Sequence, residues 1–342
     1  MEHLKVINAY KSLVTLFLSI VALICFSTSI FASNFDDTDR LIEGAKKDGH
    51  LMVYTSGDAN QTISLLSRFK EKYPFMKTEI YRAGKVKLLT KILMEHKFKR
   101  YTADVTLMSA IQTNILKKEG ALEKYSPPEG RFLTEESRDP QGYWHAVYLT
   151  GMLCGYNNRL VSSKEAPKTY EDLLDPKWKG KLGIDSNNIE WFSTLLKIKG
   201  EGFLEKLSRQ RPSMRDGQSL SVQLLAAGEY SMLLDSYEYR MLESKDKGMP
   251  IDWVALEPVI IYFVSSSLAA NAPHPYAAKL FINYLLTETG QQSVVQWGRT
   301  PIRSDVGSRN KKMLDKYKLI VTDIDTAEKE KEINPIIQKY FR

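Results

Sequence analysis

The chain has 342 residues, a mean hydropathy of −0.31 and 26% charged residues, which is the composition of a soluble protein able to bury one large core or two medium ones. Its formal charge of +7 is dispersed over Lys46-Lys47, Lys85 and Lys87, Lys97 to Arg100 and Lys311-Lys312, with acidic residues among them. That pattern excludes a concentrated nucleic-acid footprint and fits a solvated surface with mild steering of anions.

The first 32 residues stand apart. Lys5 and Lys11 precede an apolar run from Leu13 to Phe26 that is too short to span a bilayer comfortably, and small residues follow at Ser27, Ser29, Ala32 and Ser33. This predicts a secretory leader cleaved after Ala32, hence a periplasmic chain with a net charge of +6 once Glu2, Lys5 and Lys11 are gone. Cys154 is then the only cysteine, so no intramolecular disulfide can form. Its apolar setting marks it as a buried strand residue.

A short helix is expected from Asp36 to Lys47, then a strand from Leu51 to Thr55 and a polar connection from Ser56 to Asn60. Ile63, Leu66 and Phe69 recur at helical spacing between Gln61 and Tyr73, and Pro74 stops that helix. Lys77 to Tyr81 reads as a strand, Arg82 to Gly84 as a loop and Val86 to Phe98 as a helix. A strand from Asp104 to Met108 and a helix from Ile111 to Lys118 complete the alternation. Such βα units predict a parallel sheet covered by helices on both faces, with ligands at the carboxyl ends of its strands. That rule selects Ser56 to Asn60, Arg82 to Gly84, and Ser109 with Ala110.

Tyr125 to Asp139 is rich in loop formers, and Tyr143 to Tyr156 reads as one or two strands leaving the first lobe. Pro167 to Ile184 looks like the entry to a second lobe. Thr169 can cap a short helix, Pro176 ends it, Trp178 anchors it, and Leu182 to Ile184 starts a strand. A polar loop, Asp185 to Asn188, leads into a helix from Ile189 to Lys199. Helices are expected at Phe203 to Arg209 and at Ser219 to Ala227, the latter capped by Gly228. Tyr230 to Leu234 reads as a strand with Asp235 to Tyr239 just past its end. Strands at Ile251 to Leu256 and Val259 to Leu268 precede a helix from Tyr276 to Thr287 and a further helix to Trp297. The tail from Lys311 to Arg342 is charged and partly helical.

No enzyme motif is complete. G-x-S-x-G, phosphate-loop and H-E-x-x-H patterns are missing, and His50, His96, His145 and His274 each stand alone in sequence. No catalysis and no cofactor are expected. Asp235 and Glu238 fit either acid–base or metal chemistry, or simply a polar turn.

The stretch Y-E-D-L-L-D-P-K-W-K-G-K-L-G-I resembles the second-lobe entry of periplasmic solute-binding proteins of ABC importers, in the group that includes ferric-iron-binding proteins. Residues 270–292 and 297–306, Ala103-Asp104-Val105, and L-L-A-A-G-E-Y at 224–230 are similar to the same family. The resemblance covers nearly all of the mature chain and implies two α/β lobes, each a mostly parallel sheet flanked by helices. Strands crossing near Cys154 to Asn157 and Pro258 to Ser265 would join them. The first lobe would comprise 33–154 and 266–306, the second 155–265, and 307–342 a C-terminal helical tail. The implied partners are a small-molecule or metal-ion solute and an inner-membrane permease, and a monomer is expected.

Under that resemblance Tyr54, Trp191, Tyr237 and Tyr239 would stack on or hydrogen-bond the solute. Trp191 and Tyr239 fit core packing as well. Asp58, Asp185 and Glu190 would pair with a cationic group, and Ser56 and Arg82 with an anionic one. Gly57, Ser109 and Ser186 share the same strand-end loops. Ferric-binding members use two adjacent tyrosines with a histidine and a glutamate. Here Tyr237 matches the first tyrosine and Glu238 stands at the second. Asp58 replaces the histidine and Ser109 falls near the glutamate. The resemblance thus offers Asp58, Tyr237 and Glu238 as an alternative oxygen-ligand set for iron.

Overall fold

The computed structural model describes residues 38–327 and 330–341. The expected leader, residues 1–32, lies outside them. The described chain opens with α1 (38–48), β1 (His50–Thr55), α2 (Ala59–Lys72), β2 (Lys77–Arg82), α3 (Lys85–Lys97), β3 (Val105–Ser109) and α4 (Ala110–Lys118). After β4 (Leu122–Glu123) a loop leads to the long β5 (His145–Asn157). Next come β6 (Leu182–Asp185), α5 (Ile189–Lys199), α6 (Glu201–Ser208), β7 (Ser213–Arg215), α7 (Gln218–Ala227), β8 (Met232–Tyr237), α8 (Glu238–Asp246) and β9 (Ile251–Val254). The chain returns through β10 (Val259–Ala269), α9 (Pro275–Leu286), α10 (Glu288–Gln296) and β11 (Thr300–Pro301). It closes with α11 (Arg309–Leu314), β12 (Leu319–Val321) and α12 (Glu330–Phe341).

The strands form two sheets that share β5. In the first lobe the order is β2-β1-β3-β10-β5, with β1 parallel to β2 and β3, and β10 antiparallel to β3 and β5. In the second it is β5-β8-β6-β7, with β6 parallel to β7 and β8. This is the two-lobed periplasmic-binding-protein fold. Leu51 and Val53 pack with Leu65, Phe69 and Phe281 on one face of the first sheet. Tyr54 packs with Leu88, Ile92 and Met108 on the other. Covering both faces is why β1 reads as an unbroken apolar run.

Residue chemistry sets the element ends. Asp58 caps α2, its Oδ1 accepting from Gln61 N at 3.1 Å. Asn188 caps α5, its Oδ1 accepting from Trp191 N at 3.2 Å. Pro167 to Ile184 folds into two short 3-10 turns, Glu171–Leu174 and Pro176–Trp178, rather than one helix. The expected landmarks are in place: Trp178 is buried, with its Nε1 donating to Asp172 O at 3.0 Å, and β6 follows. Cys154 is buried in β5, and burial pushes its thiol well up.

Two expectations need revision. β5 is one strand, and it changes partners between Gly151 and Met152, earlier than the crossing anticipated at Cys154. Gly151 lets α11 pack closely there, since a Cβ would stand 2.9 Å from Leu314 Cδ2 and push that side chain aside. β8 runs on to Tyr237, so Asp235 and Ser236 are buried strand residues and not a turn. In the tail, β12 adds to β10 in parallel, and α12 sets Ile333 and Ile337 into the second-lobe core.

Candidate functional site

Where the two lobes face each other, β5, β8 and β10 present tyrosines to a common space. Tyr237, the last residue of β8, lies near-parallel to Tyr239 with ring centroids 5.9 Å apart. It meets Tyr262 of β10 at 5.8 Å. The Arg299 guanidinium sits 3.3 Å above the Tyr239 ring and 5.4 Å from that of Tyr148 on β5. Lys85, the first residue of α3, reaches from the first lobe to Glu190 of the second, Nζ to Oε1 2.9 Å, and lies 5.6 Å from the Tyr262 ring. The cluster therefore joins four phenols, two cations and one carboxylate.

Burial raises the Tyr148, Tyr237 and Tyr262 hydroxyls above the ordinary phenol range. Arg299 partly opposes this at Tyr148, and Lys85 does so at Tyr262. These three are neutral O–H donors at neutral pH. Burial works against the Lys85 ammonium, but Glu190 and Tyr262 outweigh it and hold the charge firmly. Arg299 is 6% exposed, and its Nε and Nη2 both donate to Gln61 Oε1, at 3.3 and 2.9 Å. Among the described residues no carboxylate lies within ion-pair distance of it. A buried cation whose direct hydrogen-bond partner is neutral, with Glu238 feeling its charge from further off, gains from the arrival of an anion.

Of the residues expected from sequence, Glu190, Tyr237 and Tyr239 belong to this cluster. Tyr54 does not: it is buried beneath α3 and donates to Glu95 Oε1 at 3.0 Å. Trp191 is core, edge-on to Phe192 at 5.1 Å. Asp185 is buried, and its Oδ1 accepts from Asn187 N and Gly217 N, both at 3.1 Å, so it shapes a loop. Ser186 N bonds Arg215 O at 2.8 Å in the same loop. Ser109 Oγ donates to Gln112 Oε1 at 2.5 Å.

The loop from Ser56 to Asp58 borders the cluster without entering it. A Cβ on Gly57 would lie 3.9 Å from the Tyr148 hydroxyl. Gly57 N donates to Thr55 Oγ1 at 3.0 Å, Ser56 N to Leu107 O at 3.1 Å, and Arg82 Nε to Gly57 O at 3.2 Å. Arg82 thus braces this loop. Glu238 turns away from the tyrosine cluster. Its Oε2 accepts from Gly151 N at 2.8 Å and its Oε1 from Thr300 Oγ1 at 3.2 Å. The set Asp58, Tyr237 and Glu238 is therefore not assembled: Asp58 caps a helix and Glu238 bonds the crossing strand. Sequence reasoning missed Lys85, Tyr148, Tyr262 and Arg299. Lys85 follows the selected loop Arg82 to Gly84, Tyr148 and Tyr262 lie on the crossing strands, and Arg299 lies in the W-G-R-T-P stretch. Position in the fold, not residue type, would have found them.

The Fe(3+)-binding periplasmic protein of Serratia marcescens is 21% identical over 267 residues, covering 73% of this chain and 77% of its own. Iron uptake protein A1 of Synechocystis sp. is 28% identical over 188 residues, 47% of this chain, and the match spans half of that relative's length, 50%. Iron-bound HitA from Pseudomonas aeruginosa superimposes with a TM-score of 0.75 at 22% identity, over 84% of this chain and 99% of that one. AfuA from Actinobacillus pleuropneumoniae, solved with fructose-6-phosphate, gives a TM-score of 0.73 at 22% identity, over 85% and 98%. Residues 89–330 match the family described as bacterial extracellular solute-binding protein, and the chain belongs to that family.

Proposed function

We propose that this chain is the exported receptor of an ABC importer, which closes its lobes on a small charged solute and hands it to an inner-membrane permease. The lobes are taken as 33–154 with 266–306, and 155–265, after removal of the leader at 1–32. The observation that carries the reading is Arg299, buried between Tyr148 and Tyr239 with no acidic partner among the described residues. Together with Lys85 and the neutral phenols it makes a pocket for an oxyanion, phosphate or carboxylate, while Glu190 accepts from a hydroxyl or amine of the same solute. The test is a thermal-shift screen of the mature chain against inorganic phosphate, sugar phosphates and di- and tricarboxylates. A true solute at a hundredfold excess over Kd adds about 2.7 kcal/mol of stability. Arg299→Gln should abolish the shift while the variant stays folded. If no oxyanion stabilises the protein, or if Arg299→Gln keeps the shift, the oxyanion reading fails.

A second reading is favoured by the tyrosine cluster itself. Tyr148, Tyr237, Tyr239, Tyr262 and Glu190 supply the hard oxygen donors that a ferric ion prefers, and relatives carry iron in their names. Ferric ion as cargo would displace phenol protons and produce a visible charge-transfer band on titration. A colourless protein, with no change in melting temperature under ferric citrate, excludes it.

A further inference from the structure

Far from the cleft, the fold brings together two of the histidines that stand alone in sequence. His50 opens β1 and His274 caps α9, and their rings meet edge-on at 4.8 Å. Asp104, fully buried just before β3, lies between them. A ring nitrogen from each histidine and a carboxylate oxygen of Asp104 all fall within 4.8 Å of one another. Glu79 of β2 stands beside the group, with its Oε1 3.2 Å from His50 Nε2.

The roles within the group differ. Asp104 is already committed: Oδ1 accepts from His274 N at 2.8 Å, and Oδ2 accepts from Met52 N at 2.7 Å. Oδ2 also lies 2.9 Å from His274 Nδ1. A carboxylate on Nδ1 places the proton there and leaves the Nε2 lone pair free. It also fixes the ring orientation, as the carboxylate behind a metal-bound histidine does. His50 Nε2 and Glu79 Oε1 are already spaced like two ligands of one ion, since tetrahedral ligands at 2.0–2.1 Å stand about 3.3 Å apart. The side chains of His50 and His274 are 26% and 27% exposed and that of Glu79 is 65% exposed, so an ion and a water can enter.

We infer that His50 and His274, with the Asp104 carboxylate that converges with them and Glu79 beside His50, form a binding site for a zinc-type divalent cation at the amino-terminal ends of the first-lobe strands β1 and β3, remote from the solute cleft. Two imidazoles and one carboxylate suit zinc or copper(II) and leave a position for water. The ion would tie strands near the start of the chain to α9 near its end. Occupancy should therefore stabilise the first lobe.

Calorimetric titration of the untagged mature chain with zinc sulfate tests this. One equivalent should bind with micromolar affinity and raise the melting temperature. His50→Ala and His274→Ala should each abolish the binding while the circular dichroism spectrum stays native. Asp104→Asn should weaken it by about 10–100-fold without changing the stoichiometry. Arg299→Gln, which alters the cleft, should leave zinc binding intact. Substoichiometric binding, or binding unchanged in the His50→Ala, His274→Ala double variant, overturns the assignment. Loss of binding in Arg299→Gln would place the ion in the cleft and overturn it equally.

Discussion

Glu238 illustrates how far a residue's role depends on which way a strand delivers it. Burial pushes its carboxyl up to about 7 from 4.5, with Arg299 pulling the other way. Asp235, buried beside Asp185, is pushed to about 8 from 3.8. Both groups stay protonated in the fold over a range where the unfolded chain has ionised. The contribution of these two groups to stability is therefore greatest below about pH 4 and is lost as pH rises through 7 and 8. Glu238→Gln keeps an acceptor for Gly151 N and reverses the Thr300 contact, its amide N–H donating to Thr300 Oγ1. It should remove the Glu238 share of that slope, on the order of 3 kcal/mol. Thermal melts of both proteins from pH 5 to pH 9, about the range where the native and unfolded proton counts differ, read this directly. If Glu238→Gln melts with the parent's pH slope, the carboxyl is ionised in the native protein.

At the scale of elements, α12 joins the molecule through a narrow set of contacts. Ile333 and Ile337 lie in the second-lobe core, and Phe341 stands edge-on to Phe192 at 5.3 Å. Ile337→Ala should cost roughly 2–5 kcal/mol, read as a lower urea midpoint with an unchanged m-value. A cost within error of zero would mean that the helix is not docked in solution. The sequence made the α/β alternation, the lobe entry around Trp178 and most helix limits legible, because periodicity and caps are local signals. β12 was not legible: Leu319–Val321 is three residues long and becomes a strand only because β10 offers it an edge. The same division holds in the cleft. Tyr237 and Tyr239 declared themselves beside a strand end. Lys85 and Arg299 are ordinary surface types in sequence, and only the meeting of the lobes buries them in one place.

At the scale of the whole molecule, the Lys85–Glu190 ion pair links α3 to α5 at the solute site proposed above. On the proposed function, an entering solute would take over both partners. Lys85→Met should shift the lobes toward the open arrangement, read as a larger radius of gyration by small-angle scattering. Glu190→Gln should do the same, and the double variant should open no further than either single one. Equal radii for all four proteins would remove the pair from the closure equilibrium.

The strand order of the first lobe carries one more consequence. β10 lies between β3 and β5, so the middle of the amino-terminal sheet is filled by residues 259–269, roughly four-fifths of the way along the chain. Until that segment has been synthesised, the earlier strands flank a gap and their inner edges have no hydrogen-bond partners. The nascent protein therefore cannot complete the first-lobe sheet until β10 has emerged from the ribosome. On the export route proposed above, that delay keeps the chain threadable until the translocation channel has engaged it.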